Sequence, residues 1–176
     1  MMIKDFIDEY QRYRVIGERA LEQISEEGLN KILVKDGNSP AMLVRHISGN
    51  FISRFTDFLT TDGEKPWRDR DQEFADRAYS RDEVETMWLS GWKIVEDTLS
   101  SLTDAELSHT VTIRGIELSV HAALSRSLAH VAYHVGQLVL MARDSAEAEW
   151  NWISIPKGES QQYNAAPDKE KLPGAR

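Results

Sequence analysis

Residues 128–137 read LAHVAYHVGQ and lie within the last long helical pattern of the chain. Apolar residues recur there every three or four positions, which predicts a helix over about residues 120–142 with one buried face. Ser119 precedes this helix and is a suitable N-cap, because its hydroxyl can accept a bond from a free backbone N–H. His130 and His134 are four residues apart, so both imidazoles project from one side of the helix, at the edge of the apolar face. The stretch therefore predicts an amphipathic helix with two possible metal ligands.

Three earlier segments show the same helical spacing, and they cover about residues 3–28, 40–59 and 81–102. The first is expected to end at Gly28. The second follows Ser39, a suitable N-cap, and Pro40 occupies its first position, where the missing N–H has no consequence. The third follows Ser80, and Glu83 three residues later predicts a capping box. Four long amphipathic helices predict an all-α fold of the four-helix-bundle type.

The segments between these helices predict the remaining features. Residues 110–118 alternate around Arg114-Gly115, which predicts a small β-hairpin before the last helix. Residues 60–80 are rich in charge and are expected to form a long loop after the second helix, of a length that usually covers a site or binds a ligand. The apolar segment 150–156 is expected to pack back on the helices. We predict one domain over residues 1–160 and a polar C-terminal tail over residues 161–176.

Composition excludes several classes of function. The chain has 176 residues, and 21 Lys and Arg against 29 Asp and Glu give a net charge of −8, which argues against a nucleic-acid partner. No apolar run reaches the roughly 20 residues of a membrane helix, and the start lacks the pattern of a secretory signal. We therefore expect a cytoplasmic protein without a membrane partner. Cysteine is absent, so disulfides, thiolate metal sites and a cysteine nucleophile are excluded.

The five histidines are then the candidates for a metal site. The pair on the last helix is also compatible with two unrelated histidines, one of them hydrogen-bonded in the core. His46 favours a metal, because it lies on the buried side of the second helix, where an unpaired ring costs about 1–3 kcal/mol. Three neutral imidazoles would leave coordination positions open for water or substrate. His109 and His121 fit this arrangement less well, and we expect structural or surface roles for them.

Two segments also carry a resemblance to a known family, LVRHISGN at residues 43–50 and LAHVAYHVGQ at residues 128–137. With one histidine in the second helix and two in the last, the chain resembles the DinB/YfiT-like family of four-helix-bundle metalloproteins over roughly residues 1–145. The stretches 54–66 and 152–158 resemble a bacterial subgroup of that family whose function is uncharacterised.

The resemblance implies an up-down-down-up bundle in which His46, His130 and His134 hold a divalent metal ion. Other branches of the family use zinc or nickel for thiol transfer, isomerisation or hydrolysis, so zinc or nickel is the implied cofactor. Members of the family are often dimers, which makes a homodimer compatible with this chain.

These observations predict a metal-dependent enzyme that acts on a small molecule, either a thiol-dependent transferase or a hydrolase. A cation with three neutral ligands can lower the pKa of a bound water toward about 7 or bind a thiol as thiolate. Because the chain has no cysteine, such a thiol would come from a low-molecular-weight cosubstrate. The alternative is a non-enzymatic bundle in which a structural metal stabilises a ligand-binding or interaction surface. Three ligands argue mildly against it, since structural zinc sites usually have four.

Positions near the histidines predict the substrate-side residues Asn50, Arg54, Trp67, Arg70 and Gln137. Arg54, together with Arg70 or Arg68, is suited to bind a carboxylate or a phosphate through two parallel hydrogen bonds. Ordinary ion pairs with nearby aspartates are the alternative for these arginines. Trp67 would either cover the ligand or pack the long loop on the helices. The sequence marks no carboxylate as a general base.

Overall fold

The computed structural model of the chain describes residues 2–167. Its α-helices are α1 (Met2–Leu21), α2 (Pro40–Phe55), α3 (Arg70–Glu73), α4 (Arg81–Ser101), α5 (Val120–Asp144) and α6 (Ser160–Ala165). Strands β1 (Thr110–Ile113) and β2 (Ile116–Ser119) form an antiparallel hairpin, and 3-10 helices occupy Gly28–Asn30 and Asp104–Ser108. The described part of the chain is therefore mostly helical with one small hairpin, which confirms that part of the predicted fold.

The four long helices share one apolar core. Helix α2 packs most extensively against α4, and α1 packs against α5. Helices α2 and α4 approach closely at Gly91, where a Cβ atom would lie only 2.8 Å from the Cα atom of Ser48. Phe51 and Trp92 are fully buried, and their ring centroids lie 4.9 Å apart. Burial of a side chain such as Phe51 contributes about 1.5–3 kcal/mol, so this core holds α2 in place as a support for the candidate site.

Three predicted helix starts are confirmed by their caps. The hydroxyls of Ser39 and Ser119 accept hydrogen bonds from backbone N–H groups in the first turns of α2 and α5. Ser80 and Glu83 form the predicted capping box at the start of α4. Each cap satisfies a backbone donor that has no partner inside its helix.

The first helix is shorter than predicted. Helix α1 ends at Leu21, whereas the sequence pattern continued to Gly28. The guanidinium of Arg81, the first residue of α4, donates to the backbone oxygens of Leu21 at 3.1 Å and Ile24 at 2.6 Å. These bonds satisfy carbonyls at and beyond the end of α1. A side chain 60 residues away in sequence thus compensates for the early end of the helix.

The second helix is also shorter than predicted. Helix α2 ends at Phe55 instead of Leu59, because Thr56 is extended and Asp57 has a φ of 48°. A left-handed residue interrupts the helical backbone even though the apolar spacing continues. The chain therefore turns away from α2 earlier and enters the long loop.

The hairpin is fastened to this loop by Asp62. The carboxylate of Asp62 accepts bonds from the backbone N–H groups of Glu64 at 2.7 Å, Arg114 at 2.8 Å and Gly115 at 2.7 Å. These bonds hold the pKa of Asp62 at about 2. Arg114 and Gly115 both have positive φ, as a two-residue type I′ turn requires. The predicted hairpin is confirmed, and its turn lies beside the loop that follows α2.

The segment after α5 returns to the helices. Trp150 and Ile153 pack against the core, which confirms the expectation for residues 150–156. Helix α6 occupies the first part of the predicted polar tail, and residues 168–176 of that tail lie outside the described residues. Within residues 2–167, no helix combines the length and the apolar character needed to cross a membrane.

Candidate metal centre

Three histidines from two helices meet in one cluster. His46 lies on α2, and His130 and His134 lie on α5, with ligand nitrogens within 4.8 Å of one another. The Nε2 atoms of His46 and His130 are 3.1 Å apart. His46 and His134 are buried, and His130 is half-buried. The structure thus brings together the three residues that the sequence predicted as metal ligands.

Hydrogen bonds on the outer side of two rings determine which nitrogen is free. Nδ1 of His46 is 2.8 Å from Oε2 of Glu73, and Nδ1 of His134 is 2.8 Å from Oε1 of Gln137. Ionised carboxylate and amide oxygens only accept, so each Nδ1 carries the proton and each Nε2 keeps its lone pair. Outer partners of this kind orient the imidazole ligands of metal sites.

The surroundings of His130 and His134 keep these two rings neutral. Burial lowers the pKa of His130 to about 3, and the charges of His134, His46 and nearby arginines act in the same direction. Burial also lowers the pKa of His134, although its bond to Gln137 opposes the change. Neutral imidazole is the form that binds a metal ion, so both rings are in the binding form near pH 7.

The donor set fits a divalent transition metal. Metal–nitrogen bonds of about 2.0–2.1 Å with angles of about 90–110° place two ligand nitrogens about 2.9–3.4 Å apart. The 3.1 Å between His46 and His130 falls within this range. Imidazole suits zinc, nickel, copper and iron. Three protein ligands are one fewer than a closed structural zinc site has, so the set leaves room for a further ligand.

Glu73 connects the histidine cluster to the long loop. It is the last residue of α3, which lies within the predicted 60–80 loop and is N-capped by Asp69. Its carboxylate contacts His46 and also accepts from Nε of Arg68 at 2.8 Å and Nη2 of Arg68 at 2.9 Å. Burial alone would raise the pKa of Glu73, but the bonds from His46 and Arg68 outweigh it and lower the pKa. Glu73 is therefore a buried, charged acceptor that orients His46.

Helix α2 leaves space for this carboxylate at Gly49. A Cβ atom at Gly49 would lie 2.4 Å from Oε1 of Glu73. Sequence reasoning missed Glu73, because nothing local distinguishes it from the other acidic residues of the loop. The one available signal was Gly49 itself, a glycine inside a helix and three residues after His46, which often indicates that another group approaches closely.

A cavity of about 220 Å³ opens beside His46 and His130. Three of the predicted substrate-side residues line it, namely Asn50, Arg54 and Arg70, and Arg68 lines it as well. The guanidinium of Arg54 forms a two-fold ion pair with Glu64, with both N···O distances at 3.0 Å. The predicted arginines thus lie at the site, while Arg54 and Arg68 are also engaged by carboxylates of the long loop.

The other two predicted substrate-side residues lie outside the cavity lining. Trp67 is 58% exposed, so it does not cover the cavity in this structure. Gln137 accepts a bond from His134, which gives it a role in orienting that ring. His109 and His121 are exposed and lie outside the histidine cluster, as expected.

The fold and the cluster define a class of protein, a mostly helical protein with three closely spaced histidines able to hold a metal ion. A family model described as "Protein of unknown function (DUF1572)" matches residues 1–159, so the chain belongs to this family. No curated protein and no solved structure matches the chain. The match agrees with the expected uncharacterised family, whereas a DinB/YfiT-like relationship stays a prediction.

Proposed function

We propose that this protein is a divalent-metal-dependent enzyme that acts on a small molecule at the three-histidine site. The proposed reaction is a thiol-dependent transfer or a hydrolysis. The observation that carries this proposal is the meeting of three imidazoles, two of them with lowered pKa, beside a cavity of about 220 Å³. Zinc or nickel is the proposed ion. Either ion, when bound, would lower the pKa of a water molecule or hold a substrate thiol as thiolate.

The residues of the chain have separate tasks in this proposal. Glu73 and Gln137 hold the Nδ1–H groups of His46 and His134 and so direct the Nε2 lone pairs into the cluster. Asn50 lies one turn from His46 and offers an amide to a molecule in the cavity. The cavity is smaller than the roughly 300 Å³ at which sites for drug-sized ligands begin. A small substrate therefore suits it.

We further propose that α1, α2, α4 and α5 form an up-down-down-up four-helix bundle of the DinB/YfiT-like type. The packing of α2 on α4 and of α1 on α5 supports this arrangement, as does the position of the histidines on α2 and α5. We also propose a cytoplasmic location, and the net charge of −8 argues against a nucleic-acid partner. Duplex DNA binding at about 0.15 M salt would contradict that part. Analytical ultracentrifugation tests whether the chain forms a homodimer.

Metal analysis tests the ligand set. We expect purified wild-type protein to hold about one zinc or nickel ion per chain, and His46→Ala and His130→Ala each to lose most of it, because removing one ligand breaks the set. His121→Ala is the matched control, since His121 lies outside the cluster. A wild-type protein that binds neither ion, or a cluster variant that binds as well as His121→Ala, would contradict the proposal.

A cobalt-substituted sample tests whether the site is open. Azide or a small thiol is expected to change the visible spectrum of the cobalt protein, because an open site accepts a further ligand. If neither changes the spectrum while chelation lowers the melting temperature, the metal is structural. The non-enzymatic, metal-stabilised bundle would then replace the enzyme proposal.

A further inference from the structure

We propose that the cavity beside the histidines binds a small organic dianion, whose two negative charges lie on one phosphate group or on two carboxylates. This inference rests on the proposed function, because the dianion would be the substrate or cosubstrate of the same site. It is carried by the charges that line the cavity and by their ion-pair partners.

Four separate segments bring positive charge to this cavity. Its lining contains five arginines, one from α2, two from the long loop, one from the hairpin turn and one from α5: Arg54, Arg68, Arg70, Arg114 and Arg126. The lining is therefore locally positive, although the chain as a whole has a net charge of −8. The Asp62 carboxylate contributes to this concentration of charge, because its bond to the backbone N–H of Arg114 holds that residue beside the loop.

Local carboxylates neutralise only part of this charge. Glu64 pairs with Arg54 and Arg114, and Glu73 pairs with Arg68. Asp62, whose carboxylate binds the backbone of Arg114, is a third negative charge here. Five guanidinium groups against these three carboxylates leave an excess of two positive charges. The neighbouring imidazoles add no negative charge. A ligand with two negative charges would compensate this excess, which favours a dianion over a neutral or cationic molecule.

Two of the five arginines have no carboxylate partner within residues 2–167. Arg70 lies over the ring of Phe74, with 5.0 Å from its guanidinium carbon to the ring centroid. Phe74 in turn packs on His46, with ring centroids 4.7 Å apart. Arg126 lies one turn before His130 on α5, on the same side of that helix. Both arginines keep their donors for a ligand next to the histidines, and guanidinium matches the geometry of phosphate and carboxylate.

Isothermal titration calorimetry at pH 8 and constant ionic strength tests this inference, with methyl phosphate, succinate and acetate as probes. Each probe is titrated into metal-free and into metal-loaded protein. We expect methyl phosphate or succinate to bind with a Kd below about 10 mM and at least about tenfold more tightly than acetate. Higher salt is expected to weaken the binding, because the attraction is electrostatic. The preferred probe identifies a phosphate ester or a dicarboxylate as the source of the charge.

Arg126→Gln and Arg70→Gln test the two unpaired arginines separately. Each is expected to weaken binding of the preferred dianion by about tenfold or more, because a charge-assisted hydrogen bond is lost. Arg19→Gln is the matched control, since it removes one exposed arginine on α1 and changes the net charge equally. Melting temperatures of all variants establish that they remain folded.

The inference is overturned if neither dianion binds below about 10 mM, if acetate binds as tightly, or if Arg19→Gln weakens binding as much as the two cavity variants. These outcomes are distinguishable from failure of the proposed function. Metal bound at the histidines without a dianion would leave the metal site standing. A dianion bound by a protein that takes up neither zinc nor nickel would leave the anion site standing.

Discussion

The candidate site has two sides that are built in different ways. The helix side consists of His46, His130 and His134, which lie on α2 and α5 and take their positions from the packing of those helices. The loop side consists of Arg68, Glu73 and Arg114. The first two lie between α2 and α4, and Arg114 lies between α4 and α5. Ion pairs and hydrogen bonds, rather than apolar burial, position the loop side.

This difference determines what a substitution is expected to do. A change on the helix side removes a ligand but leaves the apolar core that supports it. A change on the loop side removes the interactions that hold the segment itself, and at Arg68 and Glu73 these are buried charges. Removing one partner of a buried ion pair leaves an unpaired buried charge, which is among the most destabilising effects of a single substitution. Substitutions on the loop side should therefore mainly lower stability, whereas substitutions on the helix side should mainly weaken metal binding.

The largest effect is expected for Glu73→Ala. Arg68, whose side chain is 3% exposed, would then keep only a longer contact to Glu64 at 3.9 Å, and His46 would lose its Nδ1–H acceptor. We expect the free energy of unfolding in urea to fall by about 3–5 kcal/mol. His130→Ala, the matched change on the helix side, is expected to lower it by less than about 1 kcal/mol in metal-free protein.

A double variant sharpens this first prediction. Arg68→Met combined with Glu73→Leu removes both charges, so it is expected to be less destabilising than Glu73→Ala alone. If the double variant unfolds as easily as the sum of the two single changes indicates, the ion pair does not hold the loop side together.

A smaller effect is expected for Gly49→Ala, which changes the contact between the two sides. The new methyl group would overlap the carboxylate of Glu73 and is expected to lower the free energy of unfolding by about 1–3 kcal/mol. Gly136→Ala in α5 is the control, because within residues 2–167 nothing beyond its chain neighbours and the backbone of its own helix lies within 4 Å of the added Cβ. That change is expected to stabilise by about 0.4–1 kcal/mol. Thermal and urea unfolding measure both, and equal effects would contradict the close approach of Glu73.

Asp62→Ala is expected to lower the free energy of unfolding by about 1 kcal/mol near pH 7, because it removes the bonds between the hairpin turn and the long loop. The pKa of Asp62 is about 2 in the folded protein, against about 3.9 when unfolded. A lowered folded pKa stabilises above the unfolded value, and this contribution is lost as the pH falls from about 4 toward 2. The difference in the free energy of unfolding between wild type and variant, measured with urea, should therefore decrease as the pH falls over that range. A difference that stays constant down to pH 3 would contradict the role of the carboxylate.

The smallest effect is expected for Trp67→Ala. Trp67 is 58% exposed and does not line the cavity, so the free energy of unfolding should change by less than about 0.5 kcal/mol. Binding of methyl phosphate, measured by calorimetry, should also be unchanged. Weaker binding by this variant would support the predicted role of Trp67 as a cover for the ligand.

The helix side could be predicted from sequence because helical spacing is a local property. Positions 130 and 134 share a helix face in any amphipathic helix, and the cap at Ser119 set its start correctly. The prediction that His46 faces the same cluster depended on the buried side of α2, which the apolar pattern also indicated.

The loop side could be predicted only in part: Arg68 was a candidate, but the positions of Glu73 and Arg114 depend on contacts between distant residues. Glu73 is one of several acidic residues in its segment, and only the folded chain shows that it meets His46, 27 residues earlier. The end of α1 depends in the same way on Arg81. Local patterns contain no information about such partners, so the roles of Glu73 and Arg114 at the site required the structure.

The turn at Arg114 places stability and ligand binding in opposition. Arg114 has a φ of 57°, a conformation that asparagine or glycine adopts with less strain, by roughly 1 kcal/mol. Replacement by either would relax the turn and remove a guanidinium from the cavity. Efforts to raise the thermal stability of this protein through this turn would therefore replace Arg114, and the more heat-resistant product would bind anions less well.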